Sequence, residues 1–260
     1  METITSVQNG RVKSWQKLQT KKGRQASKTY LLDGWHLVQE AIQHDGKLHA
    51  IMATPEQLAE HQDDLPLGVP VFEITADIAK KLSDLVTPQG IFAEVSLPTA
   101  TREPQFIHDG AWLFLDAIQD PGNVGTMIRT ADAAGFAGVV FGDGSVDPYS
   151  PKALRAMQGS QFHMTLTTGN LQEWTAAFTQ NDMNVYGTQL DPKAADLFTI
   201  PAQTQFALIM GNEGQGMNPE LAKMTTKNLY IPISGQAESL NVGVAAGIAM
   251  FTLKARLSLV

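Results

Sequence analysis

The 260-residue chain contains no cysteine. That absence excludes disulfides, thiolate metal sites and cysteine nucleophiles. Long apolar runs are missing too: no stretch approaches the roughly 18 consecutive apolar residues that a membrane span needs. The chain opens with Met1, Glu2 and Thr3 and has no apolar signal core, so a soluble, unexported, cytoplasmic protein without membrane contact is expected. Positive charge is scarce, 19 Lys and Arg against 26 Asp and Glu, and the resulting net charge of −7 does not by itself suggest a nucleic-acid partner. Hydrophobic residues, in contrast, make up 43% of the chain and charged residues 17%, a composition that builds a core rather than a disordered coil. The length suits two modest domains or one large one.

The scarce positive charge is concentrated at one end. Residues 1–30 hold Arg11, Lys13, Lys17, Lys21, Lys22, Arg24 and Lys28 against the single acid Glu2, so the remaining 230 residues carry −13. A basic end on an acidic protein suits a phosphate-binding arm, although a solvated helix face accounts for the charges equally well. Val12, Trp15 and Leu18 lie at helical spacing and can dock this segment with its lysines outside.

Beyond it, strand-like and helix-like segments alternate. "TYLLD", "LHAIMAT", "PVFEIT" and "GIFAEVSL" read as strands. "HLVQEAIQHDG", ended by Gly46, "PEQLAEHQ" and "ADIAKKLSDLV" read as helices. This gives a small α/β domain over residues 1–97, followed by a Pro- and Thr-rich linker over 98–110. The alternation resumes in a domain over 111–260, with "AWLFLDAI", "GVVFG", "HMTLTT", "NVYGTQL", "QFALIMG" and "NLYIPI" as strands. Helices follow Val124, over "SPKALRAM", "LQEWTAAFTQ" and "NPELAKM" (Asn218 as cap, Pro219 first), and from about Ser239 to the end. Strands that are apolar throughout and separated by helices imply a parallel sheet covered on both faces.

Three polar stretches stand out, each after an expected strand. In "DPGNVGTMIRTADAAGF", Asn123 can cap a helix that Gly135 ends, and Arg129 lies beside the apolar stripe of Val124, Ile128, Ala131 and Ala134. Alternatively, Arg129 is a surface residue paired with Asp132. In "FALIMGNEGQGM", Glu213 sits among Gly211, Gly214 and Gly216, just past a strand's carboxyl end, where open α/β sheets bind ligands. A tight turn with an exposed acid is the plainer reading. The spacing matches neither the dinucleotide fingerprint nor a P-loop. In "YIPISGQAESLNVGVAAGIAMF", Ser239 can cap the last helix with Leu240 and Asn241 in its first turn, while Gly243 and Gly247 suggest close helix packing. None of the six histidines falls in these stretches, which speaks against a histidine base or a metal site, and His163 reads as structural.

Taken together, N-x-G-x-x-x-R, G-N-E-G-x-G and I-P-x-x-G-x-x-x-S-L-N, with "GSVDPYSPKALRAMQGSQFH" between the first two, resemble the SpoU (TrmH-like) branch of the SPOUT RNA methyltransferases over residues 108–260. The stretch "VQNGRVKSWQKL…KKGR…YLLDGWHLVQEAI" is similar to the ribosomal-protein-like substrate-binding domain often fused to it. The resemblance implies transfer of a methyl group from S-adenosylmethionine to a ribose 2′-hydroxyl in structured RNA, ribosomal in preference to transfer RNA. It also implies a homodimer and a parallel sheet whose C-terminal segment forms a deep trefoil knot, a feature no composition argument yields.

Carried over to this chain, the resemblance makes Arg129, Asn123, Glu213, Ser239 and Asn241 the catalytic set. Gly211, Ile231 and Leu240, with Thr188 and Gln189, would hold the cofactor largely through main chain. The family mechanism often casts the arginine as base. A guanidinium that orients the hydroxyl and stabilises alkoxide charge needs no deprotonation. Gly243 stands where relatives usually carry serine. Lys13, Lys17, Lys21, Lys22, Arg24, Lys152 and Arg155 are the expected phosphate contacts. The competing readings are a non-catalytic RNA-binding protein with the same fold and a small-molecule α/β enzyme. Loss of a motif side chain would favour the first; the basic arm and the missing dinucleotide fingerprint oppose the second.

Overall fold

The computed structural model describes residues 1–98, 103–104, 109–191 and 193–254, so the linker expected over 98–110 lies largely outside the described residues. The chain divides into two units: residues 1–99 with 147–162, and residues 100–146 with 163–260.

The first unit begins with β1 (Glu2–Ile4), α1 (Gly10–Lys17), α2 (Lys21–Ser27) and β2 (Thr29–Asp33). It continues with α3 (Trp35–Gln43), β3 (Leu48–Ala53), α4 (Pro55–His61), β4 (Val71–Ile74), α5 (Ala76–Leu82) and β5 (Ile91–Ser96). The sheet order is β1-β4-β3-β5-β2; β1, β4 and β3 run parallel, and β5 is antiparallel to both β3 and β2. The basic segment docks as expected. Val12, Trp15 and Leu18 are buried, with the Trp15 ring 5.4 Å from that of Phe72 and its Nε1 donating to Glu94 at 3.0 Å. Each such burial contributes roughly 1.5–3 kcal/mol, ample to seat a short helix that carries several lysines. At the end of α3 the left-handed position is taken by Asp45 rather than Gly46, whose N–H closes the turn on the Ala41 carbonyl at 2.8 Å.

The second unit opens with β6 (Ala111–Leu115), α6 (Pro121–Ala133) and β7 (Gly138–Phe141). The chain then returns to the first unit for α7 (Pro151–Met157), which packs with β2, so the stretch 147–162 does not cluster with the rest of 111–260. The Tyr30 and Tyr149 rings, 4.9 Å apart, belong to that packing. Next come β8 (Thr165–Thr168), α8 (Leu171–Gln180), β9 (Asn184–Thr188) and the two-residue β10 (Ala195–Asp196). β11 (Phe206–Met210), α9 (Pro219–Met224), β12 (Lys227–Tyr230) and α10 (Val242–Leu253) complete the described chain. All seven strands of this sheet are parallel, in the order β10-β12-β9-β11-β6-β7-β8. One face is filled by Trp112, Phe114, Trp174 and Phe178, the Phe114 and Phe178 rings meeting edge-on at 5.2 Å. β9 lies between β11 and β12, so the chain must cross β9 in going from one to the other.

α6 and α10 pack together, and α10 places two glycines, Gly243 and Gly247, against Thr126 and Thr130 of α6. A methyl group at Gly243 would lie 3.6 Å from Thr126 Cγ2, and one at Gly247 would lie 3.5 Å from Thr130 Cγ2. α6 ends as the sequence predicts: Gly135 has φ +72°, its N–H bonds Asp132, and the Phe136 N–H reaches back to Ala131.

Candidate active site

A cavity of about 690 Å³ opens at the carboxyl ends of the adjacent strands β12, β9 and β11, where parallel α/β sheets bind ligands. Its wall includes Thr188 at the end of β9 and Gln189 just after it, Gly211 and Glu213 after β11, Ile231 after β12, and Ser239, Leu240 and Asn241 before α10. All five expected cofactor contacts and three of the five expected catalytic residues therefore share one cavity. Asn123 and Arg129 are not part of its wall; α6 carries both.

The loop after β11 doubles back tightly. A β-carbon on Gly211 would lie 2.2 Å from the Met217 nitrogen, so only glycine fits. Asn212, which sequence reasoning passed over, holds the turn. Its Oδ1 accepts from the Gly214 and Gln215 N–H groups at 2.9 and 3.0 Å, and its Nδ2 donates to the Ala117 carbonyl at 2.7 Å.

Helix capping departs from the expected pattern in two places. α6 is capped by Asp120, whose side chain accepts from the Asn123 N–H at 2.9 Å; Asn123 thus sits inside the first turn. α10 starts at Val242 and is capped by Asn241, which accepts from the Gly243 and Val244 N–H groups at 2.9 and 3.2 Å. Ser239 and Leu240 lie in the preceding loop instead of at the cap and in the first turn. Released from capping, the Asn123 side chain bridges the three motifs. It donates through Nδ2 to Glu213 Oε1 at 3.2 Å and accepts through Oδ1 from Asn241 Nδ2 at 3.0 Å.

Glu213 also accepts from the backbone N–H groups of Gln119 and Asp120, at 3.2 and 3.1 Å. Desolvation pushes its pKa up, but hydrogen bonds from its own N–H, Asp120, Asn123 and Gln119 outweigh that and hold it below the ordinary glutamate value. Arg129 is exposed, and among the described residues no hydrogen bond or ion pair engages it. The alternative pairing with Asp132 is not formed: Asp132 instead meets His163 Nδ1 at 2.8 Å. Thr188 donates its hydroxyl to the Ile209 carbonyl at 3.0 Å, and the Gln189 N–H donates to the Leu229 carbonyl at 2.9 Å.

The expected phosphate contacts, all in the first unit, divide into two groups. Lys13, Lys17, Lys21, Lys22 and Lys152 are exposed. Arg24 is only 3% exposed; it bonds the Leu18 carbonyl at 2.7 Å and Asp147 Oδ2 at 2.6 Å, so it is a structural ion pair and not a phosphate contact. Arg155 is likewise engaged, both terminal nitrogens meeting Asp84 at 2.5 and 2.9 Å.

A parallel sheet with a glycine-lined cavity at its strand ends is joined by an asparagine bridge to an arginine-bearing helix, and comparison with known proteins gives the class of this arrangement. Residues 110–251 match the SpoU rRNA methylase family and residues 9–93 the MRM3-like substrate binding domain. The chain is 42% identical over 254 residues to the 23S rRNA (guanosine(2553)-2'-O)-methyltransferase RlmP of Bacillus subtilis, covering 98% of this chain and 100% of that protein. A solved TrmH-family structure from Porphyromonas gingivalis superposes with a TM-score of 0.85 at 32% identity, over 96% of this chain and 99% of the other. An AdoMet-bound rRNA methyltransferase from Sinorhizobium meliloti superposes with a TM-score of 0.83 at 30% identity, over 97% of each chain. The chain belongs to the SpoU rRNA methylase family.

Proposed function

We propose that the protein methylates a ribose 2′-hydroxyl of ribosomal RNA in the cytoplasm, with S-adenosylmethionine as methyl donor, acting as a homodimer whose C-terminal segment is threaded into a trefoil knot. The bridge from Glu213 through Asn123 to Asn241 carries this reading. It joins two walls of the cavity to the helix on which Arg129 stands exposed. The relatives' rRNA names support the substrate, and the crossing of β9 between β11 and β12 supports the knot.

The cavity suits the cofactor. Among the described residues its wall contains no Lys, Arg or His, only the acids Asp191 and Glu213, so it favours a cationic ligand over a phosphate-bearing nucleotide. Leu197, Met210, Leu229, Val242 and Ala249 supply apolar surface for an adenine. Gly211, Ile231 and Leu240 would hold the cofactor through main-chain groups, with Thr188 and Gln189 beside them. S-adenosylmethionine supplies, when bound, a methyl group already activated by its sulfonium charge.

What falls to the protein is alignment. Asn123, Asn241 and Glu213 fix α6 against the loops that line the cavity, and so fix where Arg129 projects. Arg129 brings a guanidinium, a cationic hydrogen-bond donor, to this position. It orients the 2′-hydroxyl through the adjoining phosphate and stabilises the negative charge that grows on the oxygen. Ser239, whose hydroxyl has no partner among the described residues, lines the same cavity and is available to the substrate. The exposed lysines of α1 and α2 contact RNA phosphates, so binding falls steeply with added salt.

A methyl-transfer assay tests this reading. Protein and labelled S-adenosylmethionine are mixed with unmodified ribosomal or transfer RNA, and the RNA is digested to nucleosides. Label is expected in a 2′-O-methylnucleoside from ribosomal RNA, falling at least ~100-fold with Arg129→Ala if the guanidinium stabilises the transition state as an oxyanion donor does. Label on a base atom would overturn the ribose assignment. No label in any RNA or ribosomal particle would favour a non-catalytic RNA-binding protein.

A further inference from the structure

We propose that Asp191 is the charge-recognising residue of the cavity, and that it makes the site hold the cationic methyl donor more tightly than the product left after transfer. This rests on the function proposed above. Among the described residues, the charges that line the cavity are Glu213 and Asp191 alone. Glu213 is already committed, its two oxygens accepting from Gln119, Asp120 and Asn123. Asp191 stands two residues beyond Gln189, and its Oδ1 accepts only the Lys193 N–H at 2.9 Å, the local turn of an aspartate with its own backbone. Its Oδ2 has no partner among the described residues. The carboxylate thus has an open oxygen on a cavity wall whose neighbouring members, Leu190, Leu197 and Leu229, are apolar. Apolar walls lower the local dielectric, so an opposite charge in the cavity gains more there than in water.

The ligands differ in the quantity that such a carboxylate senses. S-adenosylmethionine carries a sulfonium and an ammonium against one carboxylate, a net charge of +1. Methyl transfer removes the sulfonium charge and leaves S-adenosylhomocysteine at net zero. Methylthioadenosine lacks the amino-acid part and is neutral. A single fixed carboxylate therefore favours the donor over the product, which prevents accumulated product from occupying the site.

Isothermal titration of the purified protein with each of the three ligands, at low and high salt, tests the proposal without any RNA. Asp191→Asn is expected to weaken S-adenosylmethionine about tenfold, S-adenosylhomocysteine less than about threefold and methylthioadenosine not at all. The salt dependence of donor binding should shrink in parallel. Asp191→Glu, which keeps the charge, should retain the preference for the donor, and this variant separates charge recognition from damage to the loop. Equal losses for all three ligands would mean a contact with a shared group such as the ribose and would overturn the proposal, as would no loss at all. A wild-type protein that binds none of the three would overturn the proposed function itself.

Discussion

At Glu213 one carboxylate holds groups 90 to 94 residues earlier in the chain: the backbone N–H groups of Gln119 and Asp120 and the side chain of Asn123. Because those donors favour the ionised form, the pKa is held below the ordinary value despite desolvation. A lowered folded-state pKa means that the carboxylate's stabilising contribution is complete above the unfolded-state value of about 4.3 and is lost as pH falls through the lowered one. Glu213→Gln keeps the shape but has no such titration. The difference in urea midpoint between wild type and Glu213→Gln is therefore expected to stay constant from pH 7 to about pH 5 and to shrink below about 4.3. Its size will be modest, since the group is largely exposed. A difference that is already falling between pH 7 and 5 would mean that the hydrogen bonds do not hold the acid ionised as described.

At the scale of elements, the contact between α6 and α10 gives two glycines opposite tolerances. A β-carbon at Gly247 would meet Thr130 Cγ2 at 3.5 Å, an ordinary contact, so Gly247→Ala should stabilise the protein by about 0.5–1 kcal/mol through chain entropy and helix propensity. At Gly243 a β-carbon would lie 3.2 Å from Asn241 Oδ1, the atom that caps α10, so Gly243→Ala should gain less or lose stability. Thermal unfolding of the two variants checks the pair; equal gains would refute the crowding at the cap. The same elements mark where sequence reasoning ran short. Strands such as Phe206–Met210 and the docked face of Val12, Trp15 and Leu18 were legible because apolar pattern alone determines them. Asn218 before Pro219 was read correctly as a cap, yet the matching Asp120 before Pro121 was passed over because Asn123 drew attention as a polar residue of the motif. β1 and β10, three and two residues long, are too short to show any period. The segment 147–162 could not be assigned from composition, because which unit a helix covers is decided by contacts distant in sequence, here Arg24 with Asp147.

At the scale of the whole molecule, α10 leaves apolar side chains exposed. It is apolar all round, a pattern that belongs to a buried helix. Yet Val244 is 53% exposed and Phe251 56% exposed, and together with the partly buried Ile248 they form a stripe at spacings of four and three. One side of α10 is covered by α6; in the homodimer proposed above, the stripe would meet the matching helix of a second copy of the chain. Arg129 lies on α6, the helix against which α10 packs, so closure of that surface would bring the partner close to the arginine and shield it from water. Introducing a charge into the stripe should cost far more in assembly than in folding, since the variant position stays solvated in the monomer. Val244→Asp combined with Phe251→Asp is expected to convert the dimer to monomers in light scattering while leaving the circular-dichroism spectrum unchanged. S-adenosylmethionine binding and methyl transfer should fall with it if the site is completed across that surface. Retention of a dimer by the double variant, or full activity in a demonstrable monomer, would show that α10 is exposed for some other reason.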